Sequence, residues 1–249
     1  MNDQNRFQAQ AIPAGNTMDM SVDAGLRSFM LGVYNKMGLG LVLSGILAYI
    51  TSSVPPVRDM LFVMNDGRIG YTGLGMIVAF SPMAILFISM FAMRNPSKTG
   101  ANLLYWTVVS LIGAGLGVLA LIYTGQSLAS TFFITASAFG ALSLWGYTTK
   151  RDLTGFGSFL IMGVFGLILA GIVNIFLQSP MMNFVISGLG VLIFSGLIAF
   201  DTQRLKFEYY YLKGDDTAMS VATSMGALSL YLNFINLFQF LLSFLGDRE

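Results

Sequence analysis

Charged residues along this chain fall in clusters, and the stretches between the clusters are long and apolar. Lys36 and Arg58 enclose 21 uncharged residues, and Arg68 and Arg94 enclose 25. Lys98 and Lys150 enclose 51, Asp152 and Asp201 enclose 48, and Asp216 and Asp247 enclose 30. A helix that crosses a bilayer needs about 20 apolar residues at a rise of about 1.5 Å each. The pattern therefore predicts one span in each of the two shortest stretches, two in each of the two longest, and one in the last. Turn-forming residues mark the two internal breaks, at Tyr123-Thr124-Gly125-Gln126-Ser127 and at Gln178-Ser179-Pro180. The expectation is an all-α integral membrane protein with seven transmembrane helices.

Composition agrees with the pattern. The chain of 249 residues is 55% hydrophobic and only 10% charged, whereas a soluble domain carries about 25% charged residues. Its net charge of +1 offers no basic field for nucleic acid. With no cysteine and no histidine, disulfides, thiolate nucleophiles, Cys/His zinc sites and Ser-His-Asp triads are excluded. Residues 1–26 lack an apolar core of the kind a cleavable signal peptide needs, and are expected to form a flexible polar tail. Residues 27–249 then make up the transmembrane domain.

The positions of Lys and Arg set an expected orientation. With the N-terminus in the cytoplasm, Arg6, Arg27, Arg94, Lys98, Lys150, Arg151, Arg204, Lys206 and Lys213 fall inside, and only Arg58, Arg68 and Arg248 fall outside. The C-terminus would then face outward, unless the last segment re-enters the membrane. Gly113 with Gly117, and Gly166 with Ala170, are spaced for close helix contact.

Ionisable groups inside a membrane tend to mark function, and Asp201 and Lys36 are the candidates here. Asp201 is open to two readings: the polar end of a helix over Met181–Phe200, or a buried group on a helix that runs on through Arg204. Lys36 either pairs with Asp201 or snorkels to the interface. If the first helix starts at Phe29, Lys36 is about 10 Å deep. Tyr209-Tyr210-Tyr211 reads as an interfacial aromatic belt, and Asn174 as the maker of one interhelical hydrogen bond.

In the last span Ser229, Asn233, Asn236, Gln239 and Ser243 lie at offsets 0, 4, 7, 10 and 14. At the helical period they form one stripe roughly 120° wide. Such a stripe does not face lipid, where its amides would lack partners. It makes either packing hydrogen bonds or a polar pathway. The last two spans meet in the cytoplasm and run antiparallel, so contact between Asp201 and Asn233 is plausible if the last helix enters near Gly226.

FGALSLWGYTTKRDLTGFG (139–157), GVLIFSGLIAFDTQRLK (190–206) and ALSLYLNFINLFQFLLSFLG (227–246), with VYNKMGLGL (33–41), resemble the Bax inhibitor-1 family, in its bacterial YccA-like branch. The resemblance covers about residues 27 to 246. It implies a seven-helix bundle with the seventh helix central, and a protein of the bacterial inner membrane that leaks calcium under pH control. It also implies a link to an FtsH-type membrane protease, which this chain would modulate. In the family's calcium-leak members a pair of aspartates on the last two helices gates the pore. Asp201 matches the first, but position 233, where the second is expected, is asparagine.

Two facing carboxylates share a proton and titrate as a unit, and Asp201 with Asn233 loses that device. Calcium prefers six to eight oxygens with several carboxylates. A single carboxylate at Asp201 thus makes at most a weak, transient calcium site, with Lys36 or Arg204 as charge partner. Calcium is expected as cargo, with no resident cofactor. The chain is not expected to be an enzyme. Phe200-Asp201 lacks the second, GxGD-bearing span of an aspartyl intramembrane protease, and Gly115–Ala120 fits a dinucleotide fingerprint without the strand that motif needs.

Overall fold

A computed structural model describes residues 23–65, 68–93 and 95–247. The stretch 1–22, which holds most of the expected tail, and Arg6, Arg94 and Arg248 of the charge tally lie outside the described residues.

Helix α1 covers Ala24–Ser53, so residues 24–26 belong to a helix and not to the tail. It starts because the Asp23 carboxylate accepts hydrogen bonds from Gly25 N and Leu26 N at 2.8 and 3.1 Å. It ends before Pro55-Pro56, where the chain turns into the short α2, Pro55–Leu61. Strands β1, Phe62–Asn65, and β2, Arg68–Tyr71, then pair antiparallel, an element the span count does not foresee. The Asp66-Gly67 dipeptide between two apolar runs is the hairpin signal that marks it in the sequence.

Then come α3 (Gly73–Ala92), α4 (Lys98–Leu116) and the short α5 (Leu119–Ile122). The remaining helices are α6 (Gly125–Thr148), α7 (Thr154–Leu177), α8 (Pro180–Leu212) and α9 (Asp216–Leu245). Thr72, Ser97, Thr124, Ser179 and Asp215 cap the starts of α3, α4, α6, α8 and α9 with their side chains. Both expected breaks are present. Thr124 opens α6, and Gln178 takes a left-handed conformation, φ 48°, before Ser179 opens α8.

Among the described residues seven helices are long and apolar enough to cross a membrane, with α4 and α5 counted as one. The chain is an all-α multi-pass membrane bundle. Its centre is α9, which packs against α1, α4, α6 and α8. In α9, 44% of the most apolar window is buried, against 11% in α3 and in α7, which flank the bundle.

The helices alternate in direction, so α9 carries the chain to the end opposite Asp23. There Asp247 N donates to Ser127 Oγ at 3.0 Å, and Thr124 N donates to Asp247 O at 3.2 Å. The last helix therefore runs the length of the bundle.

Small residues set the tightest approach. A Cβ on Gly113 would lie 2.6 Å from Ser44 Cα, so α4 and α1 touch backbone to backbone as the Gly113/Gly117 spacing predicts. The Gly166/Ala170 pair does not behave that way. A Cβ on Gly166 meets nothing within 4 Å, and α7 instead approaches α8 through Gly163 against Ile193. Asn174 also departs from expectation, because its Oδ1 accepts from Ser179 N at 3.1 Å and closes the α7–α8 turn locally. Of the three tyrosines in the expected belt, Tyr211 is 89% exposed, whereas Tyr209 packs into the bundle against Phe29.

Candidate functional site

The α8 segment Asp201-Thr202-Gln203-Arg204 is where the bundle is cross-linked. The helix does not stop at Phe200 but runs to Leu212, so each of these side chains leaves α8 in its own direction. Thr202, fully buried, meets Ser143 Oγ of α6 at 3.0 Å, and Ser143 meets Tyr34 OH of α1 at 2.6 Å. Gln203 Nε2 donates to Arg151 O at 2.7 Å, and its Oε1 accepts from Leu153 N at 2.8 Å, which pins the α6–α7 turn.

Asp201 is 4% exposed and faces α9. Its Oδ2 accepts from Ser229 Oγ at 2.6 Å and from Asn233 Nδ2 at 2.7 Å. Its Oδ1 pairs with the Arg204 guanidinium at 3.0 Å, one turn along the same helix. Arg204 also donates to Ser229 Oγ at 3.3 Å. An unpartnered buried carboxylate costs several kcal/mol, so this set of donors is what lets Asp201 sit inside. The two readings of Asp201 both hold in part. It lies near one end of the bundle, since its neighbour Thr202 meets α6 five residues before that helix ends. It is nonetheless enclosed.

Of the two candidate charge partners, Arg204 binds Asp201 and Lys36 does not. Because α1 starts at Ala24, Lys36 sits about 18 Å along the helix. Its ammonium donates to Asn102 Oδ1 at 2.6 Å and to Ser224 Oγ at 2.7 Å, and lies 5.1 Å from the Tyr105 ring centre. It is a fixed interhelical tie, neither a partner of Asp201 nor a group reaching out along the interface.

The polar stripe of α9 divides by function. Ser229 and Asn233 serve Asp201, while Ser243 accepts from Ser187 Oγ of α8 at 3.1 Å. Asn236 and Gln239 line a separate cavity of about 230 Å³ beneath the hairpin, with Tyr71 and Gly115 on its other walls. Asn236 Nδ2 donates to Leu232 O at 2.8 Å.

Beside the Asp201 partners Arg204 and Ser229 a vestibule of about 700 Å³ is lined by these two, Glu208 and Leu232, among others. Leu232 borders both spaces. Glu208 and Leu232 escape the sequence reading. Glu208 is legible only as the next carboxylate two turns beyond Asp201 on one face of a helix, and that presupposes that α8 continues past Phe200. Among the described residues no group of three acidic side chains gathers at one point.

The sequence pattern of the family described as "Inhibitor of apoptosis-promoting Bax1" matches residues 26–249. An uncharacterized protein of Caulobacter vibrioides is 68% identical over 250 residues, covering 100% of both chains. The protein RP147 of Rickettsia prowazekii is 46% identical over 227 residues, 91% of this chain and 92% of that one. The inner membrane protein YbhL of Escherichia coli K12 is 38% identical over 227 residues, 91% of this chain and 94% of its own. The DTQR cross-link on α8 and its partners on α9 thus lie within a matched region that takes in every helix, and the chain belongs to the Bax inhibitor-1 family of multi-pass membrane proteins.

Proposed function

We propose that this protein is a cation leak of the bacterial inner membrane, with its N-terminus in the cytoplasm and Ca²⁺ as the permeant ion. The observation that carries the proposal is Asp201, a buried carboxylate whose partners Arg204 and Ser229 line one cavity, which meets a second, lined by Asn236 and Gln239, at Leu232. The vestibule supplies Glu208 as a second carboxylate, and the far cavity supplies the amides of Asn236 and Gln239.

Around Asp201 the oxygen donors are its own two, Ser229 Oγ and the Asn233 carbonyl. Calcium takes six to eight, so water completes the shell and the ion passes without being held. Arg204 already stands where a cation would bind, as a tethered positive charge on Oδ1. Conduction requires Arg204 to swing out into the vestibule and the Leu232 side chain to clear the boundary between the cavities.

The positive-inside rule supports the orientation. Arg27, Lys98, Lys150, Arg151, Lys206 and Lys213 belong to the Asp23 end, and Arg58 to the hairpin end. The printed description of YbhL supports the inner membrane.

The full chain in liposomes loaded with a calcium dye is expected to admit Ca²⁺ faster than protein-free liposomes between about pH 6 and pH 8. Equal rates across that range would overturn the leak.

We also propose a partner, an FtsH-type membrane protease that this chain modulates. The α1 cap, Asp23, pairs with Lys213 beside the α8–α9 turn, and residues 1–22 ahead of it would be the segment that a processive enzyme grips. Deleting residues 1–22 keeps the Asp23 cap. It is expected to abolish co-purification with the protease while sparing flux; a complex that survives the deletion would remove the handle.

A further inference from the structure

Helices α1 and α6 run side by side, bridged by Tyr34 and Ser143, and the gap between them holds two apolar grooves. The first, about 590 Å³, runs from Arg27 and Tyr147 at the Asp23 end down to Gly38 and Phe139. The second, about 440 Å³, lies in the opposite half between the later turns of α1 and the early turns of α6. Gly38 and Gly140 border the first groove, and a Cβ on either would meet nothing within 4 Å. The space is open because those two residues carry no side chain.

We propose that the first groove binds an anionic phospholipid, with one acyl chain laid between α1 and α6 and the phosphate on Arg27. Three features select this occupant. From Arg27 to Gly38 the groove follows α1 for eleven residues, about 16 Å, which matches half of a hydrocarbon core about 30 Å thick. That is the depth of one leaflet.

The Tyr34 and Ser143 hydroxyls midway along its wall are already satisfied, since they bond each other and Ser143 bonds Thr202. An alkyl chain therefore strands no donor there. At the rim Arg27 is exposed and has no ion-pair partner among the described residues. Basic groups in pockets between membrane helices recognise lipid phosphates. The second groove has no charged residue in its lining, so it supplies an internal control with the same apolar character and no headgroup anchor.

Native mass spectrometry of the detergent-purified full chain, titrated with phosphatidylglycerol or with phosphatidylcholine of the same acyl chains, tests the site. The natural protein is expected to retain phosphatidylglycerol in preference. Arg27→Gln is expected to weaken that lipid about five-fold and to abolish the preference, as loss of one basic contact at a membrane surface does. Gly140→Leu fills the groove and is expected to lower binding of both lipids. Gly45→Leu, in the second groove, is expected to leave the preference intact.

Equal retention of the two lipids by the natural protein would overturn the proposal. So would a preference that survives Arg27→Gln, or a Gly45→Leu variant that loses it as Gly140→Leu does. Displacement of phosphatidylglycerol by inorganic phosphate would assign the site to a free anion and overturn it equally.

Discussion

At Asp201 two donors on α9 and one guanidinium on α8 converge on a single carboxylate. Asn233 is the informative member. Its amide nitrogen, 2.7 Å from Asp201 Oδ2, gives where an aspartate would have to accept. In Asn233→Asp that contact becomes two oxygens face to face, which stays bound only if they share a proton or if Arg204 bridges them. The variant is therefore expected to show a calcium flux that changes roughly ten-fold between about pH 6 and pH 8, against a flatter profile in the natural protein. Superimposable profiles for the two proteins in the dye-loaded liposome assay would show that no shared proton controls this site. Asp201 and Asn233 are legible in the sequence because a charge and a period-matched amide stand out in apolar surroundings. Thr202 and Gln203 are not, since a polar residue beside a charge looks the same whether it faces solvent or another helix.

Among the elements, the seven spans were readable because charge cannot be left in hydrocarbon and its positions therefore punctuate the chain. Ends and faces were less so. The last two spans extend well beyond their apolar windows, α8 to Leu212 and α9 back to Asp216, because polar residues continue a helix once it leaves the hydrocarbon. A count based on apolarity stops too early for that reason. The small-residue spacing on α4 and that on α7 look alike in sequence, yet only the first sits at an interface. Which face of a lipid-bordered helix carries its neighbour depends on the packing of the whole bundle. The hairpin over residues 62–71 is a different case. Its turn signal is present, but a search for spans of about 20 residues passes over strands of four.

Across the whole molecule, the chain's first helix and its last turn are tied together at the end that carries most of the positive charge. The Lys213 ammonium, between α8 and α9, pairs with Asp23 Oδ2 at 3.0 Å, and Tyr209 OH donates to Asp23 Oδ1 at 3.2 Å. The hydrogen bond from Lys213, with those from the α1 backbone, holds the Asp23 carboxyl below its ordinary value of 3.8, and the same pair holds the Lys213 ammonium above its ordinary value of 10.5. For Asp23 the folded value is the lower one, so its contribution to stability is fully present above 3.8 and is lost as pH falls through the depressed value. For Lys213 the sign is reversed, and its contribution fades only as pH rises past 10.5. The tie is thus at full strength across the neutral range and is released by acid. Asp23→Asn keeps an N-cap acceptor for α1 and removes the ion pair alone. The variant is expected to melt below the natural protein in detergent at neutral pH, by a margin that stays constant down to about pH 5 and closes below about pH 4. Lys213→Met is expected to reproduce the neutral-pH loss, and the double variant to add little to either single change, because the two residues act through one contact. A margin between natural protein and Asp23→Asn that persists undiminished well below the ordinary carboxylate range would mean that the charge on Asp23 does not close this end of the bundle.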